Sequence, residues 1–434
     1  MLKNMKLKTK LLTFGIGLTM IPLLVALILV AVQNKQMVQA AEEESTKMAY
    51  ADLDHMASLV YDMLHAEQTS VQEAVNQSLN VARDILNQEG KVYFDEQTVT
   101  WQAADQYSKN VHSLELPKMM VGQNWLGQNS SRQTPSPVVD KVKKLVGGTC
   151  TIFQRMNNNG DMLRVCTNVE KTDGSRAIGT NIPRTNPDGT PNPVIDALLK
   201  GQTYQGRAYV VNQWYITAYE PILDENRNLV GALYVGIAQE RCDNIRQAIM
   251  KTQVGQTGYI FVLDSQGNYV ISAGGKRDGE NIWDAKDANG NLFIQEICKK
   301  ALASKQDEIT EQRYPWQNQG DLTAREKIAR VVYFEPWDWV IGVSSYLDEF
   351  YESTNRLGSI GRASFMQFLL IIGTAAILSA GVWFVIARKL AGTLTAVVEQ
   401  AFYGAEQVAD ASGQVSSASQ SLAEGSTEQA AGLE

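Results

Sequence analysis

Thr151–Val165 reads TIFQRMNNNGDMLRV, and Gly258–Ile271 reads GYIFVLDSQGNYVI. Each holds an Ile-Phe pair in a β-rich run and then breaks at Asn-Gly or Gln-Gly, a turn signal that folds a chain back on itself. The same order of features follows both. After the first come the helix-like VIDALLKG (194–201), then RAYVV (207–211), WYITAYEPILD (214–224) and LVGALYVGI (229–237). After the second come the helix-like LFIQEICKKAL (292–302), then KIARVVYFEPWD (327–338) and WVIGVSSYL (339–347). A Glu-Pro step falls in each, at Glu220-Pro221 and Glu335-Pro336. Phe153 and Phe261 stand 108 residues apart, the size of a small α+β domain. The expectation is an α+β chain holding two copies of an antiparallel sheet flanked by helices.

Upstream of the repeat, residues 36 to 90 predict one long helix. Leu53, Met56, Val60, Met63, Val71, Ala74, Leu79, Ala82 and Ile85 follow a helical stripe, and no proline or glycine intervenes before Gly90. Such a helix extends roughly 80 Å at 1.5 Å per residue, too far for one small domain to cover. It is expected to pack against a second copy of the chain near its start and against its own domain further out.

Two uncharged apolar runs bracket this region. Leu11–Val32 follows Lys3, Lys6, Lys8 and Lys10, and Ala363–Ala387 is followed at once by Arg388-Lys389. Each is long enough to cross a hydrocarbon core about 30 Å thick. A cleaved signal peptide ending near Ala40 is the competing reading of the first run, but signal apolar cores span roughly 7 to 15 residues, so an uncleaved anchor is expected. The cationic flanks place both termini in the cytoplasm and residues 33–362 outside the plasma membrane. The expected organisation is a cytoplasmic N-terminus (1–10), a first span (11–32), a long helix (33–90), a membrane-distal module (91–247), a membrane-proximal module (248–350), a second span (363–387) and a cytoplasmic helix (388–434).

The net charge of −8 gives no nucleic-acid footprint, and the N-terminal lysines serve as topology determinants. Three histidines and no CxxC pattern argue against a metal site, and no catalytic or cofactor-binding motif occurs, so neither enzyme activity nor a cofactor is expected. Cys150 and Cys166 flank the first hairpin. If Gln154 pairs with Met162, the two cysteines stand opposite each other, within reach of a disulfide; two buried free thiols are the alternative. Cys242 and Cys298 offer no such local argument.

Small-ligand pockets combine apolar walls with a few convergent polar groups. In QWYITAYE, strand alternation sends Tyr215, Thr217 and Tyr219 to one face and Trp214, Ile216 and Ala218 to the other. The first set is a candidate pocket wall, with Arg164, Arg207 and Tyr209 on neighbouring strands as cation and aromatic partners for a carboxylate. The second copy offers Tyr314, Trp316, Lys327 and Tyr333, an ammonium among aromatic faces that suits a small organic acid. Ordinary core packing of the aromatics and solvated cations are the alternatives for both sets, and which copy binds stays open.

Four stretches carry a family likeness: Thr151–Met156 (TIFQRM), Trp214–Pro221 (WYITAYEP), Gly231–Gly236 (GALYVG) and Trp337–Gly342 (WDWVIG). With the two flanking spans, they resemble an extracytoplasmic double Cache sensor of the Cache 3/Cache 2 fusion type, a pair of PAS-like modules, over roughly residues 40 to 350. Tyr314-Pro315-Trp316 with Lys327 further on is similar to the pocket pattern of carboxylate-binding Cache 2 modules, whereas double modules as a family favour binding in the membrane-distal copy.

Beyond the second span, Val408, Val415, Leu422 and Gln429 recur every seven positions, with Ala411, Ala418 and Gly425 three further on. Small residues at such a seam allow close, switchable helix packing; a low-complexity linker is the alternative. Thr393 stands where a HAMP relay would carry its proline. Ala411–Gly425 resembles the opening of the methyl-accepting chemotaxis protein signalling domain, and the remainder of such a domain is expected to lie beyond Glu434. That likeness implies a homodimer, a chemotaxis histidine kinase and its coupling protein as partners, and Glu428-Gln429 as a candidate methylation pair. The expected function is a transmembrane chemoreceptor for a small organic acid or amino acid. The alternative is the same sensor attached to a histidine kinase or a diguanylate cyclase.

Overall fold

The computed structural model describes residues 7–239, 243–317 and 322–431. Cys242 lies outside these. The chain divides into two compact units, a sensor unit Lys47–Phe350 and a second unit made of Met1–Thr46 with Tyr351–Glu434.

The first helix, α1 (Leu7–Glu89), supplies the spine of the sensor unit from Lys47 onward. A first sheet follows, built from β1 (Val92–Asp105), β2 (Val111–Val121), β3 (Asn124–Trp125), β4 (Thr149–Arg155), β5 (Met162–Thr167), β6 (Thr180–Ile182), β7 (Tyr204–Val210), β8 (Gln213–Leu223) and β9 (Leu229–Ala238). Its spatial order is β3-β2-β1-β6-β5-β4-β9-β8-β7, antiparallel except where β1 meets β6. Helix α2 (Val139–Val146) precedes β4 and α3 (Pro193–Leu199) precedes β7. After α4 (Asp243–Lys251) comes a second sheet of β10 (Gln253–Val254), β11 (Gly258–Leu263), β12 (Tyr269–Ile271), β13 (Thr310–Trp316), β14 (Arg325–Phe334) and β15 (Trp339–Tyr346). Its order is β10-β11-β15-β14-β13, with β12 paired to β11, and α5 (Phe293–Ala303) precedes β13.

One helical stripe serves both sheets. Leu53, Ala57, Leu64, Val75, Leu79 and Ala82 of α1 are buried in a single core with Ile152, Ile216 and Leu233 of the first sheet and Ile260, Ile328 and Val343 of the second. From Lys47 onward both modules lie along α1. Polar anchors fix the register along the helix. Gln68 accepts a hydrogen bond from the Trp337 indole, Arg83 Nε donates to Glu220 Oε1 at 2.7 Å, and Arg330 Nη2 donates to Asp54 Oδ2 at 3.1 Å. The Glu-Pro steps therefore differ in role. Glu220-Pro221 lies within β8 and holds α1, whereas Glu335–Trp337 forms a single 3-10 turn that ends at Asp338 in the left-handed region, φ +54°.

The opposite face of each sheet is covered by a short helix. Val194, Ile195 and Leu198 of α3 close the first, and Phe293, Ile297 and Cys298 of α5 close the second. Asn192 caps α3 by accepting from the Val194 N–H, with Pro193 at the first helical position, where its missing donor costs nothing. The chain leaves α1 at Gly90, φ +123°; a Cβ there would strike the backbone of Gly122, itself at φ +58°, so glycine is required on both sides of the crossing. The β1–β2 hairpin that starts here is absent from the second copy and widens the first sheet.

The expected disulfide does not form. Gln154 pairs with Leu163 rather than Met162, and a bulge between Ile152 and Phe153 sets Ile152 opposite Cys166. Cys150 comes level with Asn168, whose Oδ1 accepts the Cys150 N–H at 2.7 Å. Both cysteines are buried free thiols, as is Cys298. A one-residue bulge changes which side chains face each other across a hairpin, and no local sequence signal announced it.

The second unit consists of the start of α1 and of α7 (Glu352–Ala431), which runs unbroken for 80 residues. Helix α6 (Leu347–Phe350) closes the sensor unit. Both α1 and α7 contain a stretch long and apolar enough to cross a membrane. Within this unit, Thr19 Oγ1 and Ser379 Oγ share a hydrogen bond of 2.8 Å, and the Trp383 indole packs over Gly15. Val408, Val415 and Leu422 stand exposed on the helical continuation of α7, as do Glu428 and Gln429.

Candidate functional site

Lys327 occupies the middle of a row across three strands. It pairs with Tyr314 of β13 on one side and Tyr346 of β15 on the other. Its face is the one that carries Ala329 and Val331 into the α5 core, while Ile328 and Val332 turn to α1. The ammonium nitrogen lies 3.6 Å from the Tyr259 ring centroid and 5.2 Å from that of Tyr346. Lys327 is fully buried, and among the described residues Nζ has no hydrogen-bond partner. Burial drives its pKa down to about 7, with Glu349 pulling weakly the other way. Tyr314 stacks on Phe293 at 4.4 Å between centroids, and Trp316 lies 5.4 Å from the same ring. The structure therefore brings Tyr314, Trp316 and Lys327 together. Tyr-Pro-Trp is an edge strand here, where proline's missing donor is harmless.

The first sheet carries its own buried cation. Arg164, fully buried, donates from Nη1 to Thr180 Oγ1 at 2.8 Å and from Nη2 to Gln106 Oε1 at 3.1 Å, and its guanidinium lies 5.0 Å from the Phe153 centroid. Its Nε and the Tyr219 hydroxyl are buried without partners among the described residues. Burial lowers the Arg164 pKa, and burial likewise pushes the Tyr219 phenol up. Alternation places Tyr215, Thr217 and Tyr219 on the α3 side and Ile216 and Ala218 on the α1 side. The Thr217 hydroxyl is already engaged, donating to the Gly206 carbonyl at 2.8 Å, and Tyr215 accepts from Gln213 Nε2 at 2.7 Å. A cavity of about 100 Å³ lies beside Tyr219, walled by Gln106, Tyr107, Asn192, Tyr209 and Arg207.

Arg207 and Tyr333 stand at the junction of the two modules, Tyr333 also packing against the edge of the α5-side core. Arg207 lies over Trp214 at 3.9 Å, donates from Nε to Gln239 Oε1 at 3.0 Å, and stands 4.0 Å from Asp338 Oδ2. Tyr333 donates to Asp338 Oδ1 at 3.1 Å, and Ser265 donates to Oδ2 at 3.0 Å. These groups bridge the two modules beside a crevice of about 490 Å³. Burial lowers the Arg207 pKa to about 10, with Asp338 acting against it. Tyr209 sits between the two regions, stacked on Tyr107 at 5.8 Å.

Sequence reading misses Tyr259, Tyr346, Gln106, Thr180 and Asp338. Alternation in GYIFVLD and WVIGVSSY marks the two tyrosines as inward or outward, but the strand order β11-β15-β14 decides that they meet Lys327.

Two sheets along one helix, each with a second face that buries a cation meeting no carboxylate among the described residues, define a double-module sensor. The chain belongs to the Cache 3/Cache 2 fusion domain family, whose model matches residues 38–359. The sensor histidine kinase MctS of Rhizobium johnstonii is 29% identical over 119 residues, 27% of this chain and 25% of that protein. The chain thus spans about a quarter of the length of the curated relative it matches. Among solved structures, the ligand-binding domain of the Campylobacter jejuni chemoreceptor Tlp3 in complex with L-valine aligns over 72% of this chain and 98% of that one, at 11% identity and a TM-score of 0.36. A methyl-accepting chemotaxis protein from Vibrio parahaemolyticus is 24% identical over 26% of this chain and 73% of that one, with a TM-score of 0.23.

Proposed function

We propose that this protein is a two-span membrane receptor whose membrane-proximal module binds a small carboxylate through Lys327. The carrying observation is the Lys327 ammonium nitrogen, buried among Tyr259, Tyr314 and Tyr346 with no hydrogen-bond partner among the described residues. A buried amine without an anion is a poor structural element, whereas an amine awaiting a carboxylate is a binding group. The surrounding rings exclude water and favour a short apolar tail on the ligand. The small cavity beside Tyr219 gives the membrane-distal module a second polar site, with Arg164 buried on the same sheet.

Occupancy biases the sheet that leads through Tyr346 and α6 toward α7, and α7 carries that bias across the membrane to a cytoplasmic histidine kinase. Exposed Val408, Val415 and Leu422 are the seam on which a homodimer forms. The chemotaxis reading adds a coupling protein and reversible methylation at Glu428-Gln429. The match to MctS favours a second reading, in which the kinase is part of the receptor itself.

Isothermal titration of the full chain in lipid nanodiscs with acetate, propionate, lactate, pyruvate and a set of amino acids tests the binding step. A carboxylate is expected to bind, and Lys327→Met is expected to weaken it at least a hundredfold. Equal affinity in Lys327→Met overturns the assignment. Autophosphorylation of the native receptor by ATP, without an added kinase, distinguishes the second reading from the first.

A further inference from the structure

We propose that an anion entering the Lys327 site is taken up together with a proton, so that the site reads the acid rather than the anion alone. This rests on the carboxylate reading of the same site.

The groups that face the amine come from four elements, and none offers it a free negative charge. Tyr314 on β13, Tyr259 on β11 and Tyr346 on β15 surround it, and Tyr269 on β12 lies behind Tyr259. Burial pushes the phenols of Tyr259, Tyr269 and Tyr314 up, so these stay neutral. The nearest carboxylate with an effect on Lys327 is Glu349 of α6, and its charge is already taken. Glu349 accepts from the backbone N–H of Gln256 at 2.8 Å and of Thr257 at 3.2 Å, and from Arg325 Nη2 at 3.1 Å. Arg325 is also bound to Asp348 at 2.7 Å, and lies over the Tyr346 ring at 4.0 Å, adding a positive charge near the amine. Arg277, beside Tyr269, pairs with Glu280.

A buried ammonium with no counter-ion releases its proton, and an opposite charge placed against it restores the proton. Burial alone brings Lys327 from the ordinary lysine value down to about 7. Above that pH the empty site holds a neutral amine. A carboxylate arriving there gains a proton from solvent on Lys327 and becomes one half of an ion pair. The only bond formed is the N–H on Lys327, made with a proton from solvent; the ligand's own bonds are unchanged, and well above pH 7 the proton and the anion enter in a ratio approaching one to one.

The test uses the full chain in nanodiscs, titrated with acetate, propionate, lactate and pyruvate from pH 6 to 9. Affinity is expected to be flat below pH 6.5 and to fall about tenfold for each pH unit above 7. At pH 8, the binding heats in phosphate and in Tris are expected to differ by the uptake of about 0.9 proton per ligand. Lys327→Arg holds a charge that does not titrate, so its affinity is expected to be independent of pH. In the ligand-free chain, carbon-13 NMR of the lysine ε-carbons, assigned by loss of the signal in Lys327→Met, is expected to show a midpoint near 7 that moves above 9 when the acid is added.

Binding that is independent of pH and of buffer overturns proton coupling while leaving the carboxylate site intact. A ligand-free midpoint above 9.5 overturns it as well. Failure of every acid to bind removes the carboxylate reading and this inference with it.

Discussion

Replacing Lys327 by methionine keeps an unbranched side chain, one atom shorter and apolar, and removes the buried amine. The effect on folding stability follows from the difference between the two states. Lys327 has the ordinary lysine value of 10.5 in the unfolded chain and about 7 in the fold. Below pH 7 both states hold the proton, and the whole penalty for burying it is present. Between 7 and 10.5 the unfolded chain binds more protons than the folded one, so stability rises with pH across this window. Relative to a neutral side chain, the wild type is held back by about 4 kcal/mol at pH 7 and by about 2 kcal/mol at pH 9, at 1.36 kcal/mol per pKa unit. Lys327→Met is therefore expected to be the more stable protein, and its advantage is expected to shrink by about 2 kcal/mol between those two pH values. Urea unfolding of residues 47–350, followed by tryptophan fluorescence at pH 6, 7, 8 and 9, measures both curves under identical conditions. An advantage that stays constant to within 0.5 kcal/mol across the series, or a variant less stable than wild type at pH 7, refutes the reasoning, because either result means that the folded amine has its charge compensated.

Cys150, Cys166 and Cys298 are expected to resist iodoacetamide in the native chain and to react after denaturation. Burial pushes Cys150 up and brings Cys166 and Cys298 to about 12, leaving little thiolate at neutral pH. Mass spectrometry under non-reducing conditions checks this, and a Cys150–Cys166 cross-link would contradict it. Gly90→Ala is expected to destabilise the sensor unit by about 2 kcal/mol, from left-handed strain and the collision with Gly122. A change below 0.5 kcal/mol in urea midpoint would show that the crossing can open. Arg207→Met, Asp338→Gly and the double variant form a cycle across the module junction; glycine suits the φ of +54° at position 338, so only the carboxylate is removed. The coupling is expected to be about 1 kcal/mol, and calorimetry of the double variant is expected to show two transitions where the wild type shows one.

The repeat, the two apolar runs and the long helical stripe are all local patterns, and each was readable because hydrophobic periodicity and turn chemistry act within a few residues. Period-2 alternation in QWYITAYE correctly separated Tyr215 and Tyr219 from Ile216 and Ala218, since a strand's geometry admits no other arrangement. The hairpin of Cys150 and Cys166 was legible as a hairpin but not in register, because a bulge between Ile152 and Phe153 shifts the pairing of β4 with β5 while β4 stays in continuous register with β9.

The candidate site divides along the same line. Lys327, Tyr314 and Trp316 lie close enough in sequence for their shared aromatic and cationic chemistry to be seen. Arg207 and Tyr333 belong to different modules, and only the meeting of the two sheets shows that both serve Asp338. Sequence by itself determined the order of elements and which residues of a strand share a face. Tertiary structure decided that Arg164 and Lys327 are buried, that neither meets a carboxylate among the described residues, and which rings lie against them. Charge compensation depends on groups brought together from strands far apart in the chain, and no local rule of spacing can supply that information.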